Sequence, residues 1–229
     1  FDALAGCIIN DLVDIKLDKN ITRTSERPLT SNKISIFESL ILLFILLGLS
    51  LFILLQFRYD TILLALLSLP LIIVYPFLKR ITFWPQLGLG IIFSWGVLIV
   101  GIEFIGYLNL NFFILYIACI FWTLSYDTIY AYQDREDDIK NNIKSTAVLF
   151  GNNGKLYVRL FYSLFFIIIG FLGYNSSQSL MSLIVIIIIF FGINTYLNRW
   201  EINSINSSNF YFNFNNIIGL LSFLFLIIF

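Results

Sequence analysis

The sequence has 229 residues with 14 basic and 14 acidic side chains, so its formal net charge is zero; 59% of it is hydrophobic and 12% charged. A soluble domain carries roughly twice that charged fraction, and with a mean hydropathy of +0.89 the chain reads as an integral membrane protein. Neutrality leaves no basic footprint for nucleic acid, which is not expected as a partner. The lack of histidine excludes imidazole ligands and bases, and two cysteines in apolar segments, Cys7 and Cys119, indicate neither a disulfide nor a zinc site.

About 20 apolar residues are needed to cross a bilayer. By that measure hydropathy gives one partial segment, 1–13, and seven fuller ones at about 36–57, 61–78, 84–106, 110–131, 156–174, 180–198 and 213–229. The chain starts at Phe1 inside an apolar run with no signal-peptide pattern, so it is read as a fragment lacking N-terminal sequence. Pro70 and Pro76 are expected to kink or end the helix they fall in. The isoleucine-rich run at 184–189 favours strand in water, but in lipid each backbone amide must be satisfied within its own helix.

The linkers alternate in character. Those at 14–35, 79–83, 132–155 and 199–212 are polar and long, or basic; those at 58–60, 107–109 and 175–179 are short and nearly uncharged. Every Lys and Arg except Arg58 lies in or within a turn of the first group. By the positive-inside rule those loops face the cytoplasm, or the matrix of a mitochondrion. One membrane domain over residues 1–229 is the expected organisation.

Two acidic stretches stand out on that face. Asn10, Asp14 and Asp18 are spaced i, i+4, i+8, one face of a helix, while Asp11 points elsewhere as a supporting or interface group. In the stretch Asp127–Gly151, Asp127, Asp134 and Asp138 fall at i, i+7, i+11, and also share a face if the apolar helix continues through them. Carboxylates at a bilayer edge are costly, and two held one turn apart repel unless a cation or proton lies between them. Amide and carboxylate oxygens without nitrogen or sulfur suit a hard cation. Mg2+ takes one or two carboxylates and completes its shell with water and phosphate oxygens. Two such clusters suggest two ions clamping one diphosphate.

Basic residues accompany them: Arg23 and Arg27 after the first cluster, Lys140 and Lys144 after the second, Lys79 and Arg80 in a third loop. Arg gives bidentate contact to phosphate and Lys a point charge. Plainer readings compete. Glu26, Glu136, Asp137 and Asp11 suit solvated charges, Lys79 and Arg80 equally suit topology anchors, and most of Phe83, Trp84, Trp95, Trp122, Tyr126 and Tyr130 suit an interfacial belt or helix packing. Two acidic ladders at one membrane face, in a chain so short of charge, are poorly explained by chance.

Asn10-Asp11-x-x-Asp14-x-x-x-Asp18 and Asp127-x-x-Tyr130-Ala131-x-x-Asp134-x-x-Asp137-Asp138 resemble the paired aspartate motifs of the UbiA-type intramembrane prenyltransferases. Arg23-Thr24-x-x-Arg27-Pro28-Leu29, Tyr75-Pro76-x-x-Lys79-Arg80-x-Thr82, Trp84-Pro85-Gln86 and Lys144-Ser145-Thr146-Ala147 resemble the branch that prenylates 4-hydroxybenzoate in ubiquinone biosynthesis. The likeness covers residues 1 to about 155; beyond that only hydropathy agrees.

The resemblance implies an all-α polytopic bundle of nine transmembrane helices around a central cavity, of which eight are supplied here and the first is missing, along with the family's N-terminal Arg-Pro motif. It implies a Mg2+-dependent transfer of a polyprenyl group from its diphosphate to the carbon ortho to the phenol of 4-hydroxybenzoate. Asn10, Asp14, Asp18, Asp134 and Asp138 would be the metal or diphosphate ligands, the four aspartates catalytic. Arg23, Lys79, Arg80 and Lys144, with Tyr130 and Asp127, would contact diphosphate or the benzoate carboxylate. A relative using naphthoate, homogentisate or haem is the nearest alternative. A divalent-cation transporter is a rival from another class, but it needs polar groups along a path to both faces, and the opposite loops offer only Asp60 and Glu103.

Overall fold

The computed structural model describes residues 2–19, 21 and 23–229, and every regular element among them is helical. In chain order the helices are α1 (Asp2–Asp18), α2 (Ile36–Leu54), α3 (Tyr59–Ile81), α4 (Pro85–Phe93), α5 (Trp95–Ile105), α6 (Leu110–Ala131), α7 (Arg135–Lys140), α8 (Thr146–Phe150), α9 (Gly154–Ser177), α10 (Leu180–Leu197) and α11 (Ile205–Ile228). Seven stretches are long and apolar enough to cross a membrane: α2, α3, α4 with α5, α6, α8 with α9, α10, and α11. The protein is an integral membrane protein, with outward faces of α2 and α3 that are almost wholly apolar and exposed, such as Phe44, Phe52 and Leu67.

The long apolar stretches match the hydropathy, with local differences that have local causes. α2 begins where Ser35 and Glu38 form a reciprocal capping box, each satisfying an amide the helix leaves open. α3 runs unbroken through Pro70 and Pro76 to Ile81, so neither proline ends it. The expected span at 84–106 is broken in two at Ser94, whose amide still reaches Gly90 O at 3.1 Å. α11 starts at Ile205, earlier than the expected 213, because its polar first turns find partners. Ser204 accepts from the Ser207 amide, and Ser208 from the buried Trp200 indole at 3.1 Å.

α6 is the central helix and packs on α4, α5, α9 and α11. The main core joins Ile129 and Ala118 of α6 with Val158, Tyr162 and Ile169 of α9 and Ile218 and Phe225 of α11. Glycines allow the closest approaches. A Cβ at Gly90 would stand 3.1 Å from Ile120 O of α6, and one at Gly173 only 2.5 Å from the Phe225 ring. α1 and α2 form a small separate cluster around Ala5, Leu43 and Leu46. At the end opposite the acidic stretches, Glu103 accepts from Thr61 Oγ1 at 2.7 Å and the Arg58 amide at 3.1 Å, closing α5 onto the start of α3.

Candidate active site

α1, α3 and α6 all finish at the same end of the bundle, and their last turns carry the ionic groups. Asp14 and Asp18 lie on α1 with Asn10, as the i, i+4, i+8 spacing predicts, and both carboxylates are buried, Asp14 at 0% exposure and Asp18 at 3%. Lys79 and Arg80 occupy the last turn of α3, where cations favour the partial negative end of the helix. Lys79 Nζ pairs with Asp14 Oδ2, and the Arg80 guanidinium lies 3.6 Å from Asp14 Oδ1 while donating to Val13 O at 3.1 Å. Asp14 Oδ1 is fully buried and accepts no hydrogen bond.

Arg27 joins the first cluster more tightly than its sequence position indicates. Its Nη1 donates to Asp18 Oδ2 at 3.0 Å and to Asp11 Oδ1 at 2.7 Å. Asp11, expected to face elsewhere or to be solvated, is thus drawn into the cluster: at i and i+7 it and Asp18 lie near enough in angle for one guanidinium to span both.

The second cluster departs from a continuous helix. α6 stops at Ala131, a turn follows, and Asp134 takes the N-cap position of α7. Asp127, Asp134 and Asp138 therefore do not share one helical face. An N-cap aspartate followed by an acidic first turn is itself a helix-start signal, and it prevails over continuation. Asp134 does not cap with its side chain because Arg23 holds both oxygens, Nε to Oδ1 at 2.9 Å and Nη2 to Oδ2 at 2.5 Å. The same guanidinium stacks 4.6 Å over the Tyr130 ring. Asp138 is 6% exposed and accepts from Ser145 Oγ at 2.9 Å. Burial pushes its carboxyl up to about 7, against the opposing pull of that hydroxyl; Lys79 is among the cations within electrostatic range. Asp127 lies inside α6, within electrostatic range of Tyr75, and has no hydrogen bond or ion pair among the described residues.

Lys144 and Lys140 take different roles from those expected. The Lys144 amide donates to Lys79 O and its Nζ to Ile81 O, both at 2.9 Å, so it closes the carbonyl end of α3. Lys140, largely exposed, pairs with Asp137 at 3.5 Å. Glu26 and Glu136 are exposed, as solvated charges should be. Around the second cluster, Thr128 and Thr146 hydroxyls meet at 2.9 Å and the Thr146 amide donates to Gln86 Oε1 at 3.0 Å, tying α8 to α6 and α4. Tyr132 donates to Gly151 O at 2.6 Å and sits edge-on to Trp200 at 5.2 Å, fixing the corner before Asp134. Ser145 and Gln86 stand in the quoted sequence words but carried no assigned role, and Arg27 was expected to meet phosphate rather than Asp11 and Asp18; these contacts are visible only in three dimensions.

Among the described residues, no three Asp, Glu or Cys side chains converge to hold an ion. Three of the four main carboxylates are instead matched by a cation of the chain, Asp14 by Lys79, Asp18 by Arg27 and Asp134 by Arg23, while Asp138 is met by the Ser145 hydroxyl. The donor chemistry nevertheless suits a hard cation, being oxygen only, and Asp14 Oδ1 is an open acceptor of the kind such an ion fills.

The sequence matches the UbiA prenyltransferase family over residues 3–217. This chain belongs to that family. The mitochondrial 4-hydroxybenzoate polyprenyltransferase of Drosophila pseudoobscura pseudoobscura is 46% identical over 155 residues, covering 67% of this chain and 39% of the relative. The 4-hydroxybenzoate octaprenyltransferase of Pseudomonas fluorescens (strain SBW25) is 45% identical over 153 residues, 67% of this chain and 52% of the relative. The chain thus spans about half the length, or less, of these relatives. The solved structure of a UbiA homolog from Archaeoglobus fulgidus bound to GPP and Mg2+ superposes with a TM-score of 0.73 at 20% identity, covering 97% of this chain and 80% of that one. Both the family match and the fold therefore extend well past residue 155, where hydropathy alone carried the likeness.

Proposed function

We propose that the protein transfers a polyprenyl group from polyprenyl diphosphate to the ring carbon ortho to the hydroxyl of 4-hydroxybenzoate. The observation that carries this reading is the gathering of Asp14, Asp18, Asp134 and Asp138 with Arg23, Lys79 and Arg80 at one end of the bundle. That end combines buried carboxylates with convergent cations, the two things a metal-bound diphosphate needs. The acceptor is inferred from the relatives named for 4-hydroxybenzoate.

Asn10, Asp14 and Asp18 on one side, with Asp134 and Asp138 on the other, would hold Mg2+, which supplies charge neutralisation for the diphosphate; a structural relative binds GPP and Mg2+ on the same fold. Arg23, Lys79 and Arg80 now sit on carboxylates, and each would transfer its donors to phosphate oxygens once those carboxylates turn to a metal. The bond between the allylic carbon and its diphosphate oxygen breaks, and the electron pair leaves with the diphosphate. Fixed positive charge near the developing anion is commonly the largest contribution to such a barrier. The ring carbon supplies the pair for the new carbon–carbon bond, and the ring proton then passes to the released diphosphate at the polar end of the site. Tyr126 and Phe212 would offer ring faces to the allylic cation and keep water from it, while Tyr130, packed on Phe212, carries the Arg23 guanidinium. Asp127, half-buried within electrostatic range of Tyr75, would act indirectly. The ionic end would face the cytoplasm or matrix, as the distribution of Lys and Arg requires.

The test is to supply membranes containing the full-length protein with labelled polyprenyl diphosphate and, separately, 4-hydroxybenzoate, a dihydroxynaphthoate and homogentisate. Label is expected only in the product from 4-hydroxybenzoate; turnover of another acceptor alone would reject the assignment.

A further inference from the structure

Trp122, Tyr126 and Tyr130 recur at i, i+4, i+8 along α6 and form a stripe of about 12 Å running from the ionic end into the membrane. Phe212 of α11 lies against its upper part, 4.7 Å from Tyr130 and 6.1 Å from Tyr126. The stripe leads into an open cavity of about 420 Å³ between α4, α6 and α11, bounded by Phe93, Trp122, Tyr126, Phe212 and Leu220 with Asn213, Asn215 and Asn216 on the α11 side. A row of aromatic residues at helical spacing is ordinarily just packing. Trp122 is held more closely than packing requires.

Its indole Nε1 donates to Asn215 Oδ1 at 2.6 Å, and the same oxygen accepts from the wholly buried Tyr162 hydroxyl at 3.2 Å. Its ring stacks on Phe165 at 5.9 Å with an 18° interplanar angle and meets Tyr126 edge-on at 5.7 Å. On the far side stands Gly219, where a Cβ would lie 2.8 Å from the indole. A buried amide in a membrane helix is costly, and here its oxygen serves one phenol and one indole. The arrangement therefore fixes the position of the ring as well as its bulk.

We propose that Trp122, held by Asn215, is the floor of the prenyl channel: it supports the end of a short donor and obstructs a longer one, so it sets which chain lengths are favoured. The proposal rests on a prenyl diphosphate being the donor, as proposed above. A chain entering from the diphosphate would follow Tyr130 and Tyr126 and meet the indole face. Donors short enough to end there gain contact with it; longer ones must bend aside toward the gap between α4 and α11.

The experiment compares geranyl and geranylgeranyl donors in wild type, Trp122→Phe and Trp122→Ala. The Phe variant keeps a ring for Phe165 to stack on and guards against loss of the fold. Transfer is measured as kcat/KM. Binding is measured separately with the corresponding non-hydrolysable thiodiphosphates, by displacement of a labelled donor from purified protein. Lowering the floor should shift the long-to-short preference by about tenfold toward geranylgeranyl in both assays, the scale at which a hydrophobic pocket discriminates small changes in apolar length. A purely structural Trp122 would depress both donors by the same factor, and an unchanged ratio in both assays would overturn the proposal. If the binding ratio shifts while 4-hydroxybenzoate is never prenylated, the floor stands and the acceptor assignment falls.

Discussion

Replacing Lys79 with Met should reveal whether Asp14 is held ready for a metal. Asp14 is completely buried, and Lys79, 20% exposed, is its close partner; without Lys79 it keeps only Arg80, 3.6 Å away. Removing one partner of a buried pair costs about 3–5 kcal/mol. Because Lys79 is partly solvated and Arg80 remains, the lower end applies, about 3 kcal/mol, or about 6–12 °C in the unfolding temperature of a chain this size. In wild type an incoming Mg2+ must displace Lys79, whereas in Lys79→Met the carboxylate is already open. Mg2+ at a hundred times its dissociation constant would then restore about 2.7 kcal/mol. The assay is thermal unfolding of purified protein in detergent, with chelator or with Mg2+. The variant should be markedly less stable in chelator and should gain more from Mg2+ than wild type does. A variant as stable as wild type in chelator, or one whose Mg2+ gain is no larger, would refute the proposed competition between lysine and metal.

Three further outcomes are expected. Asp14→Ala and Asp134→Ala should each abolish prenyl transfer in membranes while the protein still accumulates there, and unimpaired turnover in either would remove that residue from the proposed metal set. Arg23→Lys gives up the two-pronged contact to Asp134 and the flat stacking on Tyr130. A charged hydrogen bond contributes about 1.5–3 kcal/mol, so kcat/KM for the donor should fall at least about tenfold, and an unchanged value would count against a diphosphate contact. Gly154→Ala would set a Cβ 1.8 Å from the Tyr132 hydroxyl and drive that ring off Gly151 and Trp200. Overpacking of this kind costs about 1–3 kcal/mol, so its unfolding temperature should drop; a wild-type value would mean that Tyr132 moves freely.

The spans were legible because lipid leaves the backbone few choices: an apolar stretch of sufficient length must satisfy its own amides. The aspartate ladder on α1 was legible for the same reason, since Asp14 and Asp18 lie inside one helix whose period is fixed. At Ala131 that logic stopped. The chain leaves the apolar helix there, and the corner is set by Tyr132 against Gly151 and Trp200, contacts that no local spacing encodes. Pairings between distant residues were hidden likewise. Arg23 with Asp134, Lys79 with Asp14, and Lys144 with the last carbonyls of α3 are tertiary facts, although each residue was recognisable as ionic and near the same face. The polar opening of α11 misled hydropathy because Ser204, Ser207 and Ser208 look lipid-averse until their partners are known. Pro70 and Pro76 do not end α3, since a membrane helix can tolerate a missing amide bond that its surroundings compensate.

The separate apolar cluster of α1 and α2 has a consequence for assembly. That hairpin shares few greasy contacts with the bundle, and its ties to it are largely polar: Asp14 to Lys79, Val13 O to Arg80, and, from the following loop, Arg23 to Asp134. During synthesis the hairpin emerges well before the residues that complete those ties, Asp134 being more than a hundred positions behind Arg23. The hairpin would therefore be fastened in steps, first to Lys79 and Arg80 of α3 and later to Asp134, with the ionic end serving as its latch.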